Sequence, residues 1–239
     1  MIPSPFTFLR GAAVVMAHDL AGTPRTGIRA QLCGDCHLSN FGGYAFPERT
    51  LLFDVNDFDE TLPGHWEWDV KRLATSVIVA GRENVFDDSD CRRAARGAVA
   101  SYRNRMAEFS EMGELEVWYS RVSAEDFLAA SDIFLGWLRG RAGRDFYWRQ
   151  LRDMKGAAKI ACLSPEELAL YARICGWALA RAHARSGDRV QIAGYLGKSE
   201  RFDEAIADFA EAYADQTERD HATLCAAVKS GRIAAAVDA

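Results

Sequence analysis

A cluster of acidic residues constrains this chain more than any other part of its sequence. Two fragments, residues 32–40 and 53–60, together contain five acidic side chains: Asp35, Asp54, Asp57, Asp59 and Glu60. Clustered carboxylates repel one another and are costly to remove from water, yet apolar segments flank these residues. The stretch therefore predicts either a site for a cation or a solvated turn.

Strands are expected to bring the acidic fragments together. Residues 28–32 alternate between apolar and polar side chains, which is typical of a half-buried strand. Two further strand-like runs, 41–46 and 51–55, are separated by residues 47–50, which predicts a hairpin with a four-residue loop. Leu62, Pro63 and Gly64 are expected to form a turn.

Most of the remaining chain predicts helices. Apolar residues from Val70 to Ile78 recur with helical spacing, and a second helix is expected over residues 89–111. Ser164, followed by Pro165 and Glu167, predicts the start of a helix that ends near Arg185.

A turn region is expected over residues 192–199, before a last helix over 202–229. The predicted fold class is α+β and mostly helical, in a single domain over residues 1–239. Its parts are an acidic-loop region (1–80), a helical and aromatic connector (81–160) and C-terminal helices (161–239).

Bulk composition restricts the partners. The formal net charge of -5 argues against binding to nucleic acid or to an anionic membrane surface, because both need a basic surface. No leader sequence and no membrane-spanning stretch is predicted, so a cytoplasmic location is expected. The six cysteines are scattered through the chain and do not form the dense framework of a small disulfide-rich domain, so reduced thiols are expected.

The spacing of Asp35, Asn40 and Asp57 suggests a chemistry. Phosphoryl transfer needs one carboxylate at the attacking hydroxyl, and an Asn with a second Asp to hold Mg²⁺ against the phosphates. A loop followed by a short hairpin can supply all three residues. Each residue taken alone is more typical of a turn or of a strand end.

Three fragments resemble motifs of the aminoglycoside phosphotransferase and choline kinase branch of the protein-kinase-like superfamily. Residues 34–40 resemble the catalytic loop H-G-D-x-H-x-x-N, with Cys33 in place of its first His. Residues 56–59 resemble the metal-binding segment, and residues 68–74 resemble the start of a helix that supports the loop.

The resemblance implies a role for each matching residue. Asp35 would be the catalytic base or the group that orients the substrate, and Asn40, Asp57 and Asp59 would be metal ligands. Asp69 would be a structural brace for the loop. Mg²⁺ and ATP would be the cofactors, and a small molecule would accept the phosphoryl group.

Longer stretches of the chain resemble a bacterial family catalogued as domain of unknown function 2252. They cover residues 4–80, 131–137, 149–151, 179–188 and 213–220. Members of that family are longer, which implies that this chain is shortened. The missing segment, between Trp118 and Ala130, would carry a Gly-rich turn and a lysine-bearing strand.

The resemblance therefore implies a kinase-like C-lobe with its N-lobe largely absent, and a weak or inactive enzyme. In related kinases a helix reading L-A-x-L-H precedes the catalytic loop, whereas the similar residues 179–183 follow it here. This order implies a circularly permuted fold built from both ends of the chain.

Two other functions fit the same residues. A metal-dependent hydrolase would use the Asp and His side chains of the cluster directly on a cation; they are Asp35, His37, Asp54, Asp57 and Asp59. A non-catalytic helical module would leave the acidic loop as a solvated turn. Cys33 and Cys36 also form a C-x-x-C pair, which is typical of redox sites and is half of a zinc site.

Overall fold

The computed structural model describes residues 1–45, 51–122, 136–139, 145–148, 155–156 and 158–234. The α-helices in this part of the chain are α1 (Pro5–Arg10), α2 (Ala13–Ala21), α3 (Glu67–Glu83), α4 (Asp88–Ser110), α5 (Glu114–Tyr119), α6 (Pro165–Ser186), α7 (Arg189–Leu196) and α8 (Arg201–Lys229). The strands are β1 (Arg29–Leu32), β2 (Phe41–Ala45), β3 (Leu51–Val55), β4 (Leu62–His65), β5 (Gly136–Arg139), β6 (Asp145–Trp148) and β7 (Lys155–Gly156). The prediction of a mostly helical α+β fold is confirmed.

Helix α3 runs through the centre of the molecule. It packs against α1, α4, α6 and α8, and nearly all of its residues from Glu67 to Gly81 are buried. The apolar positions from Val70 to Ile78 form core contacts, as their spacing predicts. The helix also buries charged side chains, among them Asp69 and Arg72, which need partners in the interior.

Helices α4 and α6 approach each other very closely. A Cβ atom built on Gly176 of α6 would lie 2.1 Å from the Ala98 carbonyl oxygen on α4, so a side chain larger than hydrogen would push the helices apart. Helix α8 is joined to α4 by ion pairs. Arg103 Nη2 lies 2.8 Å from Asp203 Oδ2 in the most buried of these pairs.

The strands form three small sheets. Strands β1 and β4 pair antiparallel, with Arg29 opposite His65. Strand β2 lies between β3 and β7, and both neighbours are antiparallel to it. Strands β5 and β6 form a separate pair. The predicted β2–β3 hairpin is confirmed, and its loop at residues 46–50 lies outside the described residues.

Helix α1 begins at Pro5 because Ser4 forms a capping box with Thr7. The structure corrects two local predictions. Residues 62–65 form β4 and not only a turn; Pro63 is tolerated because β4 is an edge strand. The region predicted as a turn from residue 192 contains most of α7, whose Asp188 cap accepts the backbone N–H of Gln191.

The predicted connector, residues 81–160, is only partly helical. It contains α4 and α5, and strands β5, β6 and β7 follow them. None of the helices in the described ranges is both long enough and apolar enough to cross a membrane.

Candidate functional site

Three polar side chains on one face of α3 hold the loop Cys33–Asn40. Asp69, Arg72 and Ser76 stand at i, i+3 and i+7, which puts them on the same side of the helix. Taken in order along α3, they contact successive loop residues: Cys33 and Gly34, then Asp35, then Leu38. One helix therefore supports both the core and the loop.

Asp69 lies at the centre of a buried hydrogen-bond network. Its carboxylate accepts the backbone N–H of Cys33 at 2.7 Å and that of Gly34 at 3.3 Å. His183 Nε2, on α6, lies 3.2 Å from the same carboxylate, and the Tyr102 hydroxyl lies 2.9 Å from His183 Nδ1. A buried carboxylate without such partners would cost about 1–3 kcal/mol or more, so the network fixes the start of the loop.

Helix α6 also contacts the far end of the loop. The Tyr171 hydroxyl donates to the carbonyl oxygens of Leu38 and Phe41, each at 3.0 Å. Burial raises the pKa of this hydroxyl well above its ordinary value, which keeps it protonated and able to donate. The loop is thus held between α3 and α6.

Asp35 is paired on both sides and only 8% exposed. Arg72 Nε donates to Asp35 Oδ1 at 2.7 Å, and the guanidinium also donates to the Leu9 carbonyl at 2.7 Å. His37 Nε2 lies 3.3 Å from Asp35 Oδ2. Burial alone would raise the pKa of Asp35, but the His37 hydrogen bond and the Arg72 charge bring that pKa below its ordinary value. Asp35 is therefore ionised near neutral pH.

Gly34 makes the bend that directs the loop along α3. Its φ is +84°, in the region that favours glycine. A Cβ atom on Gly34 would also lie 2.1 Å from the Glu60 carbonyl oxygen. The loop and the acidic turn Asn56–Glu60 are therefore in close contact here, and only a residue without a side chain fits.

A second contact joins the loop to the acidic turn. The Asn40 side chain donates to the Asp35 carbonyl at 2.7 Å, and the Asn40 carbonyl accepts the backbone N–H of Asn56 at 2.8 Å. Asp57 and Asp59 follow directly and are exposed. Asp57 Oδ1 accepts the Asp59 N–H at 3.2 Å, which holds the turn. These oxygen-rich side chains are accessible to a cation from solvent.

Two further residues of the predicted cluster are less exposed than the acidic turn: His37 is buried and Asp54 is half-buried. His37 is 2% exposed, and its Nδ1 has no hydrogen-bond partner among the described residues. Asp54 on β3 forms an ion pair with Arg181 of α6. The structure thus brings Asp35, His37 and Asn40 together beside the acidic turn, whereas Asp54 is held by α6.

Sequence reasoning missed four residues of this region: Arg72, Ser76, His183 and Lys155. The first two have a detectable signal, because they share the i, i+3, i+7 spacing with Asp69. His183 ends the residues 179–183 that resemble L-A-x-L-H, but its contact with Asp69 could not be predicted without knowledge of how α6 packs. Lys155 is one of only five lysines in the chain, and β7 puts it opposite Tyr44 of β2.

The fold and the site define a mostly helical α+β protein in which a tight loop and an exposed acidic turn are joined beside a buried helix. A family model described as "uncharacterized protein conserved in bacteria (DUF2252)" matches residues 1–129 and 125–227. The chain belongs to this family. No curated protein and no solved structure matches it.

Proposed function

We propose that the protein is a kinase-like phosphotransferase that uses Mg²⁺ and ATP to phosphorylate a small molecule. The observation that carries this proposal is the joining of three separate motifs. Asp69 binds the backbone just before Asp35, and Asn40 is bonded to the backbone just before Asp57. Phosphoryl transfer depends on such fixed positions, because the protein contributes mainly orientation and electrostatic stabilisation.

The side chains at the acidic turn fit Mg²⁺. Asn40, Asp57 and Asp59 offer oxygen ligands, which Mg²⁺ prefers. Asp57 and Asp59 are exposed, so binding needs no rearrangement of the core. Bound there, the ion would neutralise negative charge on the transferring phosphates.

Asp35 fits an orienting role better than that of a strong base. Its lowered pKa and its pairing with Arg72 make it a weak proton acceptor. A loose phosphoryl-transfer transition state requires little proton abstraction in advance. In this proposal Asp35 holds the acceptor hydroxyl in line, and its charge is maintained by its buried partners.

Lys155 supports nucleotide binding. A kinase anchors phosphates with a lysine on a strand, and the family resemblance implies that such a strand is absent here. Strand β7 carries Lys155 and pairs with β2, whose hairpin begins directly after Asn40. A lysine on a strand beside the loop supports the presence of a nucleotide-binding part, which the family resemblance implies to be largely missing from this chain.

The position of α6 supports a permuted kinase-like C-lobe. Its Tyr171 and His183 contact the loop and the Asp69 brace, and each of these contacts spans more than 100 residues of sequence. A helix in that spatial position is what the L-A-x-L-H resemblance implies. The order of the structural elements along the chain would then differ from that in other kinases, whereas the packing of those elements would be similar.

The arginine partners weigh against a metal-dependent hydrolase. Asp35 is engaged by Arg72 and Asp54 by Arg181, and a cation would have to compete with both guanidinium groups. A non-catalytic helical module remains the alternative that needs no ligand. In such a module the acidic turn would be exposed to solvent and would bind no ligand.

Titration calorimetry and thermal unfolding with ATP and Mg²⁺ test the proposal. We expect binding in the wild type, a loss of at least tenfold in affinity in Asp57→Asn, and no change in Asp88→Asn, an exposed acid at the start of α4. Stabilisation by Mn²⁺ alone, without any response to ATP, would favour the hydrolase. No response to either would favour the non-catalytic module.

A further inference from the structure

We propose that Cys33, Cys36 and Asp69, with His183, form a buried site for a soft divalent cation such as Zn²⁺. Cys33 and Cys36 alone provide half of a zinc site. The fold supplies a carboxylate from α3 and an imidazole from α6. This site is distinct from the exposed oxygen-ligand site proposed for Mg²⁺.

The first three side chains already converge. One ligand atom from each of Cys33, Cys36 and Asp69 lies within 4.8 Å of the others, and they are the one such group of three in the part of the chain that the structure describes. Two ligands on one tetrahedral zinc ion are roughly 3.5 Å apart, given bond lengths of about 2.0–2.3 Å. Movements of about 1 Å in these three side chains would bring their ligand atoms to the spacing that a zinc ion requires.

His183 would be the fourth ligand; it contacts Asp69 but lies outside the group of three, so it would have to move toward the two sulfur atoms to complete the site. Its Nε2 lies 3.2 Å from the Asp69 carboxylate. Its Nδ1 lies 2.9 Å from the Tyr102 hydroxyl, which can either donate or accept. Histidine ligands of metals usually have a hydrogen-bond partner at the second nitrogen, and Tyr102 fills that position. With four protein ligands the site is closed, as structural zinc sites are.

The chemistry of these ligands selects against Mg²⁺. Thiolates and imidazole prefer zinc and other soft or borderline ions, whereas Mg²⁺ prefers oxygen. Both thiols must lose their protons to bind, so loading the site releases two protons to solvent. The bound ion, two thiolates and one carboxylate would have a net charge of -1. The backbone N–H groups of Cys33 and Gly34 already donate to the carboxylate of this group, that of Asp69.

Burial of the site has a consequence for the empty form. Burial raises the pKa of Cys36 well above its ordinary value. The Cys36 hydrogen bond lowers the pKa of Cys33, but burial and the nearby Asp69 charge raise it more. Both thiols are therefore protonated and unreactive until a metal replaces their protons. The alternative is that they are simply small apolar core residues.

Occupancy would lock the start of the loop to two helices. The ligands come from the loop, α3 and α6, so one ion would join all three elements, with its two cysteine ligands on either side of Asp35 in the sequence. The ion would have no open coordination position and would not contact substrate. Its effect would be on stability and on the position of the loop.

Cobalt substitution tests the site. The chelator-treated protein is titrated with Co²⁺, and we expect one ion per chain with a thiolate-to-cobalt charge-transfer band in the near ultraviolet. Cys36→Ser should remove about half of that band, and Cys91→Ser, at a buried cysteine outside the group, should leave it unchanged. Zn²⁺ should raise Tm by roughly 5 °C or more, and Mg²⁺ should not do so through this site.

X-ray absorption at the zinc edge of the wild-type protein gives an answer even if Cys36→Ser fails to fold. Two sulfur neighbours at about 2.3 Å support the site. Oxygen and nitrogen neighbours alone, no binding of Zn²⁺, or a cobalt band unaffected by Cys36→Ser would each overturn it. Asp57→Asn separates this site from the phosphotransferase proposal, because that substitution should weaken the binding of ATP with Mg²⁺ at least tenfold and preserve zinc binding.

Discussion

Arg72 and Asp35 form a buried ion pair between the middle of α3 and the loop that the helix supports. Arg72 Nε donates to Asp35 Oδ1 at 2.7 Å, and neither side chain is more than slightly exposed. Because the guanidinium also binds the Leu9 carbonyl, the pair joins α1, the loop and α3. The contribution of this ion pair to the free energy of unfolding and the titration of Asp35 can both be measured.

Arg72→Met should destabilise the protein by about 3–5 kcal/mol, because it leaves the Asp35 charge buried without its partner. Urea unfolding at neutral pH measures the change. Arg93→Met is the matched control: Arg93 pairs with Asp90 at 2.5 Å on the surface, and its loss should cost less than about 1 kcal/mol. Equal losses of stability in the two variants would show that the buried pair stabilises the protein no more than the surface pair does.

The Arg72→Met, Asp35→Asn double variant should recover part of the lost stability. Removing the second charge removes the cost of burying it without a partner. If the double variant is less stable than Arg72→Met by the full cost of Asp35→Asn, the two residues do not interact.

Acid unfolding should report the pKa of Asp35. Its folded pKa lies below the unfolded value, so its contribution to stability is complete above about pH 5 and is lost as the pH falls through the folded pKa. Asp35→Asn should be less stable than the wild type at pH 7, and its stability should change less between about pH 5 and pH 2. Parallel pH profiles for the two proteins would contradict this assignment.

Gly34→Ala should destabilise the loop by more than backbone strain alone. The new Cβ would both occupy a positive φ and meet the Glu60 carbonyl oxygen at 2.1 Å. Gly231→Ala isolates the first effect, because Gly231 has φ +74° with open space around it. We expect about 1 kcal/mol for Gly231→Ala and at least twice that for Gly34→Ala, measured by thermal unfolding.

Lys155→Met should reduce ATP affinity at least tenfold, because phosphoryl-transfer enzymes of this kind anchor the nucleotide phosphates with a lysine. Lys159→Met is the control, since Lys159 is exposed and lies four residues further along the chain. Calorimetry with Mg²⁺ and ATP measures both. If the two variants bind ATP equally well, Lys155 is not the anchor.

The main elements of the fold can be predicted from sequence where local chemistry is strong. The Ser164 capping box starts α6, and regular apolar spacing identifies α3. Predictions failed where the deciding contact is distant. Strand β4 exists because β1 pairs with it, and a Leu-Pro-Gly sequence alone favours a turn.

Sequence indicated which loop and turn belong to the candidate site, but not the contacts that surround them. The spacing of Asp35, Asn40 and Asp57 identified the loop and the acidic turn. It gave no indication that Arg72 would neutralise Asp35 or that Asp69 and Cys36 would converge. Those pairings depend on how α3 is rotated against the loop, which is a tertiary property.

The hydrogen bonds of Tyr171 have a consequence for how the chain is made. Tyr171 binds the Leu38 carbonyl across 133 residues of sequence. At synthesis rates of about 5–20 residues per second, the loop would leave the ribosome on the order of ten seconds before this partner exists. The N-terminal third would therefore wait with apolar surface exposed, and we expect nascent chains halted before Tyr171 to be readily cleaved by protease and to engage chaperones.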